Sequence, residues 1–318
     1  MVLRHHIQAY FILLALIAAN MAARGEVAAD NTGPASALVV KTPVDMANLL
    51  GFWDFQEESG APKVSKGKYQ YPLHEMNGPI KRVEDGIFGP YSADLELGQW
   101  LRAKRADVPG LNLGGQPREI SMVAWVKFES DRYWQFIAGI WSEGDRAFQG
   151  KASGTGKRYP ARQYALFAFG NSENDYTTYV RTPVKHRAMG YLSPFGGASP
   201  NRPFAFDYAS GAVQLQMHRW YMIAFTYDKQ WIKVYVDGKL DANGNSNPFK
   251  FEGPVFDGGP DGADFTVALR NHPKWPDYPE GRPDHDEGFD GRIGGLAVFD
   301  RALAADEIKT LCEATAKQ

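Results

Sequence analysis

Residues 220–239, WYMIAFTYDKQWIKVYVDGK, contain two apolar runs that are separated by Asp228-Lys229-Gln230. In the second run, Trp231–Val236, apolar β-branched residues alternate with other residues, as expected for a strand with one face on a core. The pair Asp237-Gly238 follows, and a type I′ turn favours this pair because both of its central residues have positive φ. The stretch therefore predicts an antiparallel β-hairpin that leads into another tight turn.

The composition of the 318-residue chain argues against some classes of partner and fold. A net charge of -2 gives no electrostatic reason to expect nucleic acid as a partner. The 33 glycines, 20 prolines and 13% aromatic residues favour a turn-rich β protein over a helical one. Cys312 is the only cysteine, so the chain has no internal disulfide and its stability must come from the core or from bound ions.

Residues 1–29 are predicted to be a signal peptide. A basic start at Arg4-His5-His6 precedes the apolar residues 10–19, YFILLALIAA, which are too few for a comfortable membrane span. Val27-Ala28-Ala29 offers a cleavage site, Met21-Ala22-Ala23 is a rival site, and an uncleaved anchor is the alternative. We therefore expect a secreted, periplasmic or cell-surface protein with no membrane span after signal removal. Residues 30–48 are predicted to be a linker and residues 49–318 a single domain.

Several other apolar runs have the length and alternation of strands. They include residues 120–128 (ISMVAWVKF), 133–141 (YWQFIAGIW), 163–170 (QYALFAFG) and 289–299 (FDGRIGGLAVF). Residues 303–311 alone carry a convincing helical period. Short strands, long loops and one terminal helix predict an all-β chain in which two antiparallel sheets pack face to face.

Five motifs, in their order and spacing, carry a resemblance to a known family. They are GFWDF at 51–55, ISMVAWV at 120–126, WYMIAFTY at 220–227, VYVDGK at 234–239, and FDGRI at 289–293 running into VFDRAL at 298–303. Together they resemble the laminin-G-like branch of the concanavalin A-like lectin/glucanase superfamily, as found in exported bacterial proteins. The resemblance spans residues 49–311. It implies a jelly-roll sandwich with a concave sheet, and many members of that family bind carbohydrate.

Three inserts distinguish this chain from a minimal domain of that family. They cover residues 142–161, 173–212 and 271–287. Long loops of this kind often carry function, because they build rims around a sheet.

The sequence does not favour an enzyme. Glucanases of that superfamily use the pattern Glu-x-Asp-x-(x)-Glu, which directs two catalytic carboxylates into one cleft. The nearest match is Glu129-Ser130-Asp131, where Tyr133 and Trp134 stand in place of the second Glu. A lyase needs a Tyr or His base beside a neutralising Arg or Gln, and no spacing here assembles such a group. A polysaccharide-degrading hydrolase or lyase remains an alternative, as does a protein–protein adhesion module.

The favoured hypothesis is a lectin-like module that binds a polysaccharide or another glycan through loops over the concave sheet. Sugars stack on flat aromatic rings, and polar side chains bind their hydroxyl groups. The predicted ligand-binding residues are Trp134, Trp141, Arg162, Tyr164, Tyr179, Asn271, His272, Trp275, Asp284 and His285. The alternative is that these are ordinary core or edge residues and that the loop aromatics only pin the inserts.

The sequence suggests one structural Ca²⁺ and no other cofactor, since a lone His285 beside carboxylates is weak evidence for a transition metal. Ca²⁺ takes six to eight oxygen ligands, mainly from carboxylates and carbonyls. Members of the family often carry one such ion, and the resemblance places Asp54 and Asp290 at motif positions near the sheet rim as its ligands. The acidic segments 257–264 and 284–287 are further candidates. The alternative for all of them is a set of solvated turn residues.

Overall fold

The computed structural model describes residues 42–115, 118–132, 134–144, 159–169, 186–202, 204–271 and 287–316. In chain order the strands and the helix are β1 Leu49–Trp53, β2 Lys63–Val64, β3 Pro72–Met76, β4 Lys81–Glu84, β5 Tyr91–Leu95, β6 Trp100–Ala103, β7 Ile120–Phe128, β8 Trp134–Ile140, β9 Tyr164–Phe169, β10 Arg187–Leu192, β11 Tyr208–Ser210, β12 Trp220–Tyr227, β13 Trp231–Val236, β14 Lys239–Leu240, β15 Phe249–Lys250, β16 Phe265–Val267, β17 Gly291–Phe299 and α1 Ala305–Thr315.

The strands form two antiparallel sheets. Within the described ranges, sheet I has the order β14-β13-β12-β7-β17-β5-β4, with β1 paired to β17 and β15 paired to β13. Sheet II has the order β11-β10-β9-β8-β16-β6-β3-β2. The prediction of an all-β, two-sheet antiparallel sandwich with a short C-terminal helix is confirmed.

The hairpin predicted from residues 220–239 is present in sheet I. Strand β12 pairs antiparallel with β13, with Ile223 opposite Val236, and on its other side β12 pairs with β7. The residues between β13 and β14, Asp237 and Gly238, have φ of 48° and 79°, as a type I′ turn requires. The hairpin therefore lies inside sheet I, and its tight turn leads into β14.

Alternation along the strands divides apolar side chains between the core and the outer faces. On β7, Met122 and Ala124 belong to the core between the sheets, whereas Val123 and Trp125 belong to a cluster on the opposite face of sheet I. Ile308 and Leu311 of α1 pack into that second cluster. The helix therefore covers part of the outer face of sheet I.

The start of the described chain also packs on this cluster, because Met46 is buried in it. The predicted signal peptide lies outside the described residues. Among the residues that are described, no helix is long and apolar enough to cross a membrane.

A β-bulge in β8 determines which side chains face outward from sheet II. The pairing of β8 with β9 shifts between Phe136 and Ala138. Ile137, Ala138 and Ile140 consequently lie in the core, while Phe136 and Trp141 lie in a separate outer cluster. A strict period of two would place Trp134 and Trp141 on opposite faces of the sheet. The bulge brings both tryptophans to the same face.

Replacing Gly139 by alanine, two residues after the bulge, is expected to destabilise the protein through a clash with β9. Gly139 has φ of +150°, and an added Cβ would lie 2.3 Å from the carbonyl oxygen of Tyr164. We expect the free energy of unfolding, measured by urea titration, to fall by about 1–3 kcal/mol, the usual range for overpacking. Gly244→Ala is the matched control, because Gly244 also has positive φ, +52°, but no atom within 4 Å of the added Cβ. Equal losses in the two variants would rule out the clash as the cause.

Candidate functional site

Aromatic rings cover the outer face of sheet II across β8 to β11. We call this cluster the aromatic face; Trp134 is half-buried, and the other members are buried: Phe136, Trp141, Phe167, Tyr191 and Tyr208. Phe167 and Tyr191 are at its centre, with ring centroids 5.2 Å apart. Trp134 lies 6.1 Å from Phe167 and Trp141 lies 5.8 Å from it, so the two tryptophans flank the same ring. Edge-to-face contacts of this kind hold the rings in fixed orientations.

A buried ion pair borders the aromatic face beside Trp141. The Arg162 guanidinium donates from Nε to Oε1 of Glu143 at 3.1 Å and from Nη2 to Oε2. The indole Nε1 of Trp141 donates to the same Oε1 at 2.6 Å. The Arg162 Cζ atom is 5.9 Å from the centroid of the Trp141 ring. Because Arg162 is fully buried, Glu143 is needed to balance its charge and also fixes the Trp141 ring.

A second ion pair lies beside β8 on the side of β16. Arg270 donates from Nε to Oε2 of Glu287. The carbonyl oxygen of Glu287 accepts from the backbone N of Phe136 at 2.8 Å, which fixes this residue against β8. The two pairs interact electrostatically, since the charges of Glu143 and Arg162 act on Glu287. We call Glu143, Arg162, Arg270 and Glu287 the charge cluster.

The two carboxyl groups of the charge cluster are shifted in opposite directions. Burial alone would raise the pKa of Glu143, but the charge of Arg162 and the hydrogen bonds from Arg162 and Trp141 outweigh it and lower the pKa to about 2. For Glu287, burial raises the pKa, and the charge of Arg270 does not offset this because the negative charge of Glu143 acts in the same direction as burial. Glu143 is therefore a firmly ionised group, and Glu287 is the group that takes up a proton more readily.

Of the residues predicted from the sequence, Trp134, Trp141 and Arg162 come together on this side of sheet II. Asn271 lies beside them, since its backbone N donates to the carbonyl oxygen of Trp141 at 2.9 Å. Its side-chain Nδ2 donates to the carbonyl oxygen of Asp264 at 2.7 Å. The structure therefore joins four of the predicted positions into one region.

Tyr164 is placed elsewhere. It lies in the core between the sheets, and its hydroxyl group donates to the carbonyl oxygen of Leu111 at 2.8 Å. Burial raises the pKa of this hydroxyl group. The other predicted residues, Tyr179, His272, Trp275, Asp284 and His285, lie outside the described ranges.

The acidic residues proposed as metal ligands are partly engaged by cations. The carboxylate of Asp54 is bound by Lys66. Asp257 accepts from Arg105 at 2.8 Å, and Asp264 accepts from Arg102 at 2.6 Å. The part of the chain that the structure describes contains no group of three or more His, Cys, Asp or Glu side chains that could hold a metal ion. The calcium ion expected near Asp54 and Asp290 stays a prediction.

The sequence interpretation missed Glu143, Arg270 and the inner rings of the aromatic face. Phe167 could have been found, because it alternates with core residues in the run 163–170. No local signal marks Glu143, since its partner Arg162 lies 19 residues away. The same holds for Arg270 and Glu287, which are 17 residues apart.

Two packed antiparallel sheets, with an aromatic face and a charge cluster on one of them, define an all-β sandwich protein with one candidate ligand site. A laminin G family model, described as the concanavalin A-like lectin/glucanases superfamily, matches residues 103–309. The chain therefore belongs to this superfamily, and the resemblance seen in its motifs is confirmed. No curated protein sequence matches the chain.

Solved structures of similar fold include those of two glycosidases. Domain 4 of AbnA, a GH43 extracellular arabinanase from Geobacillus stearothermophilus in complex with arabinotriose, is 16% identical with a TM-score of 0.50. The match covers 83% of this chain and 98% of that domain. Trypanosoma rangeli sialidase in complex with sialic acid is 15% identical with a TM-score of 0.52, and the match covers 86% of this chain but 36% of the sialidase. At such identities the likeness shows the fold.

Proposed function

We propose that this protein binds carbohydrate on the outer face of sheet II. The observation that carries the proposal is the aromatic face bordered by the charge cluster. Sites for small ligands are lined by aromatic and apolar side chains with a few polar groups that fix the orientation of the ligand. Trp134, the half-buried ring of this face, offers a surface to the C–H face of a sugar, and the charge cluster offers charged partners for its hydroxyl groups.

The arabinanase domain supports the proposal. The match covers 98% of a domain that was solved in complex with arabinotriose. In that enzyme, therefore, a single domain has this fold and binds the sugar. The same enzyme is extracellular, which supports export of this chain through the predicted signal peptide. A structural Ca²⁺ near Asp54 and Asp290 is part of the proposal, and a chelator tests it.

The first experiment is a glycan array with the protein lacking residues 1–29, run with and without a chelator. We expect binding to at least one glycan family, and lower binding in the chelator if Ca²⁺ orders the site. An array without any signal in either condition would refute carbohydrate binding.

Trp134→Ala is expected to weaken binding of the best glycan at least tenfold, measured by isothermal titration calorimetry. Trp134 is the half-buried tryptophan of the aromatic face, and truncating an aromatic anchor commonly costs more than 1 kcal/mol of binding free energy. Trp231→Ala is the matched control, because Trp231 is an exposed tryptophan on β13 of sheet I. If both variants bind as the unchanged protein does, the aromatic face is not the site.

The second candidate function is a polysaccharide-degrading enzyme. The opposite pKa shifts of Glu143 and Glu287 favour it, because acid–base pairs in active sites are separated in this way. Against it, both oxygens of Glu143 already accept hydrogen bonds from Arg162 or Trp141. Release of reducing ends from a bound polysaccharide, lost in Glu287→Gln, would favour the enzyme over the lectin-like module.

A further inference from the structure

The Arg162 guanidinium has a donor that the charge cluster does not use. Its Nε and Nη2 atoms bind Glu143, whereas Nη1 is buried and has no hydrogen-bond partner among the described residues. A guanidinium has no acceptor of its own, so this N–H group needs an oxygen from another group. A buried donor without an acceptor is unfavourable, which makes this position attractive to a ligand oxygen.

The formal charges of the cluster cancel. Two guanidinium groups face two carboxylates, Arg162 with Glu143 and Arg270 with Glu287, and each pair is in direct contact. Glu287 is the most exposed member, with 24% of its side chain accessible. A ligand that approaches from solvent therefore meets a carboxylate before it meets either guanidinium.

This arrangement distinguishes uncharged from anionic sugars. Sugar hydroxyl groups both accept and donate, so they suit a cluster that offers the guanidinium donor of Arg162 and the carboxylate of Glu287. A uronate or sulfate group cannot donate to Glu287, and the two negative charges repel each other without an excess of positive charge to compensate. Specificity is often set by such a repulsive group as well as by attractive contacts.

We propose that the charge cluster is a subsite for an uncharged sugar and that Glu287 excludes acidic sugars from it. This inference rests on the proposed carbohydrate binding and adds the class of sugar. It makes Glu287 a specificity-determining residue and Arg162 the donor to the sugar hydroxyl group.

The test measures the affinity of the protein for two soluble polysaccharides, neutral arabinan and anionic polygalacturonate, and for the best glycan of the array. Affinity electrophoresis and calorimetry give these affinities. The unchanged protein is expected to bind neutral glycans and to bind polygalacturonate at least tenfold more weakly. Glu287→Gln leaves the cluster with one excess positive charge and keeps the shape of the side chain. We expect this variant to bind polygalacturonate at least tenfold more tightly than the unchanged protein, so that its preference for neutral over anionic glycans shrinks.

Glu129→Gln is the matched control. Glu129 is also a glutamate paired with an arginine, Arg292 at 2.8 Å, and 27% of its side chain is exposed, but the pair involves strand β17 of sheet I. It should bind both polysaccharides as the unchanged protein does. A gain of the same size in Glu129→Gln would show a general effect of net charge and would overturn the role of Glu287.

The remaining outcomes separate the inference from the proposed function. Preference of the unchanged protein for acidic over neutral glycans would overturn the inference and leave carbohydrate binding intact. This comparison does not depend on any variant, so it holds even if Glu287→Gln fails to fold. Absence of binding to every glycan would refute carbohydrate binding, and the inference would fail with it.

Discussion

Glu143→Ala is expected to lower the free energy of unfolding by about 3–5 kcal/mol, the range for a buried ion pair that loses one partner. Arg162 is fully buried and would keep its charge after losing the acceptors for Nε and Nη2. Trp141 would lose the acceptor for its indole Nε1 at the same time. The variant should therefore unfold at a lower urea concentration and also bind glycan more weakly, because the Trp141 ring loses its anchor.

Urea unfolding followed by tryptophan fluorescence measures this loss. The double variant Glu143→Leu/Arg162→Leu is expected to recover most of it, because no unpaired charge remains buried. Glu252→Ala is the surface control, since Glu252 is 64% exposed in its pair with Lys250, and it should cost less than about 1 kcal/mol. A loss below about 1 kcal/mol for Glu143→Ala would contradict the structural role of this ion pair.

The fold could be predicted from the sequence because its strands carry strong local signals. The alternation in Trp231–Val236 and the Asp237-Gly238 turn specify the hairpin without reference to the rest of the chain. The motifs around it add the order of the strands and the family. These signals are visible in the sequence because a strand with one buried face places an apolar residue at every second position.

The candidate site was only partly predictable, for two physical reasons. The bulge at Ile137 changes which residues face outward, and a period of two carries no sign of such a shift. In addition, the partners in the charge cluster are separated along the chain, as Glu143 is from Arg162, and tertiary packing alone brings them together. Tyr164 illustrates the first reason. Until the register of its strand is known, an aromatic residue on a strand has the same chance of facing the core as of facing a ligand.

Glu143 and Glu287 are expected to make the free energy of unfolding depend on pH in opposite directions. The pKa of Glu143 is about 2 in the folded protein, below its ordinary value of 4.5. Its ionised form therefore stabilises the fold at full strength above about pH 4.5, and this contribution is lost as the pH falls towards 2. A shift of this size corresponds to about 3 kcal/mol.

For Glu287 the folded pKa is the higher one, so the folded protein holds this proton at pH values where the unfolded chain has released it. Stability from Glu287 is consequently greatest below the unfolded pKa and falls as the pH rises through the folded pKa.

Urea unfolding at intervals from pH 2 to pH 8 tests this, with Glu143→Gln and Glu287→Gln measured beside the unchanged protein. Each amide variant removes one titrating group, so its difference from the unchanged protein isolates that group from the other carboxylates. The stability advantage of the unchanged protein over Glu143→Gln should shrink by about 3 kcal/mol between pH 5 and pH 2. Its stability relative to Glu287→Gln should instead decrease as the pH rises from about 4.5. If both differences were constant across the range, neither the charge of Arg162 on Glu143 nor the burial of Glu287 would shift these carboxyl groups, and the polar side of the proposed sugar site would lose its physical basis.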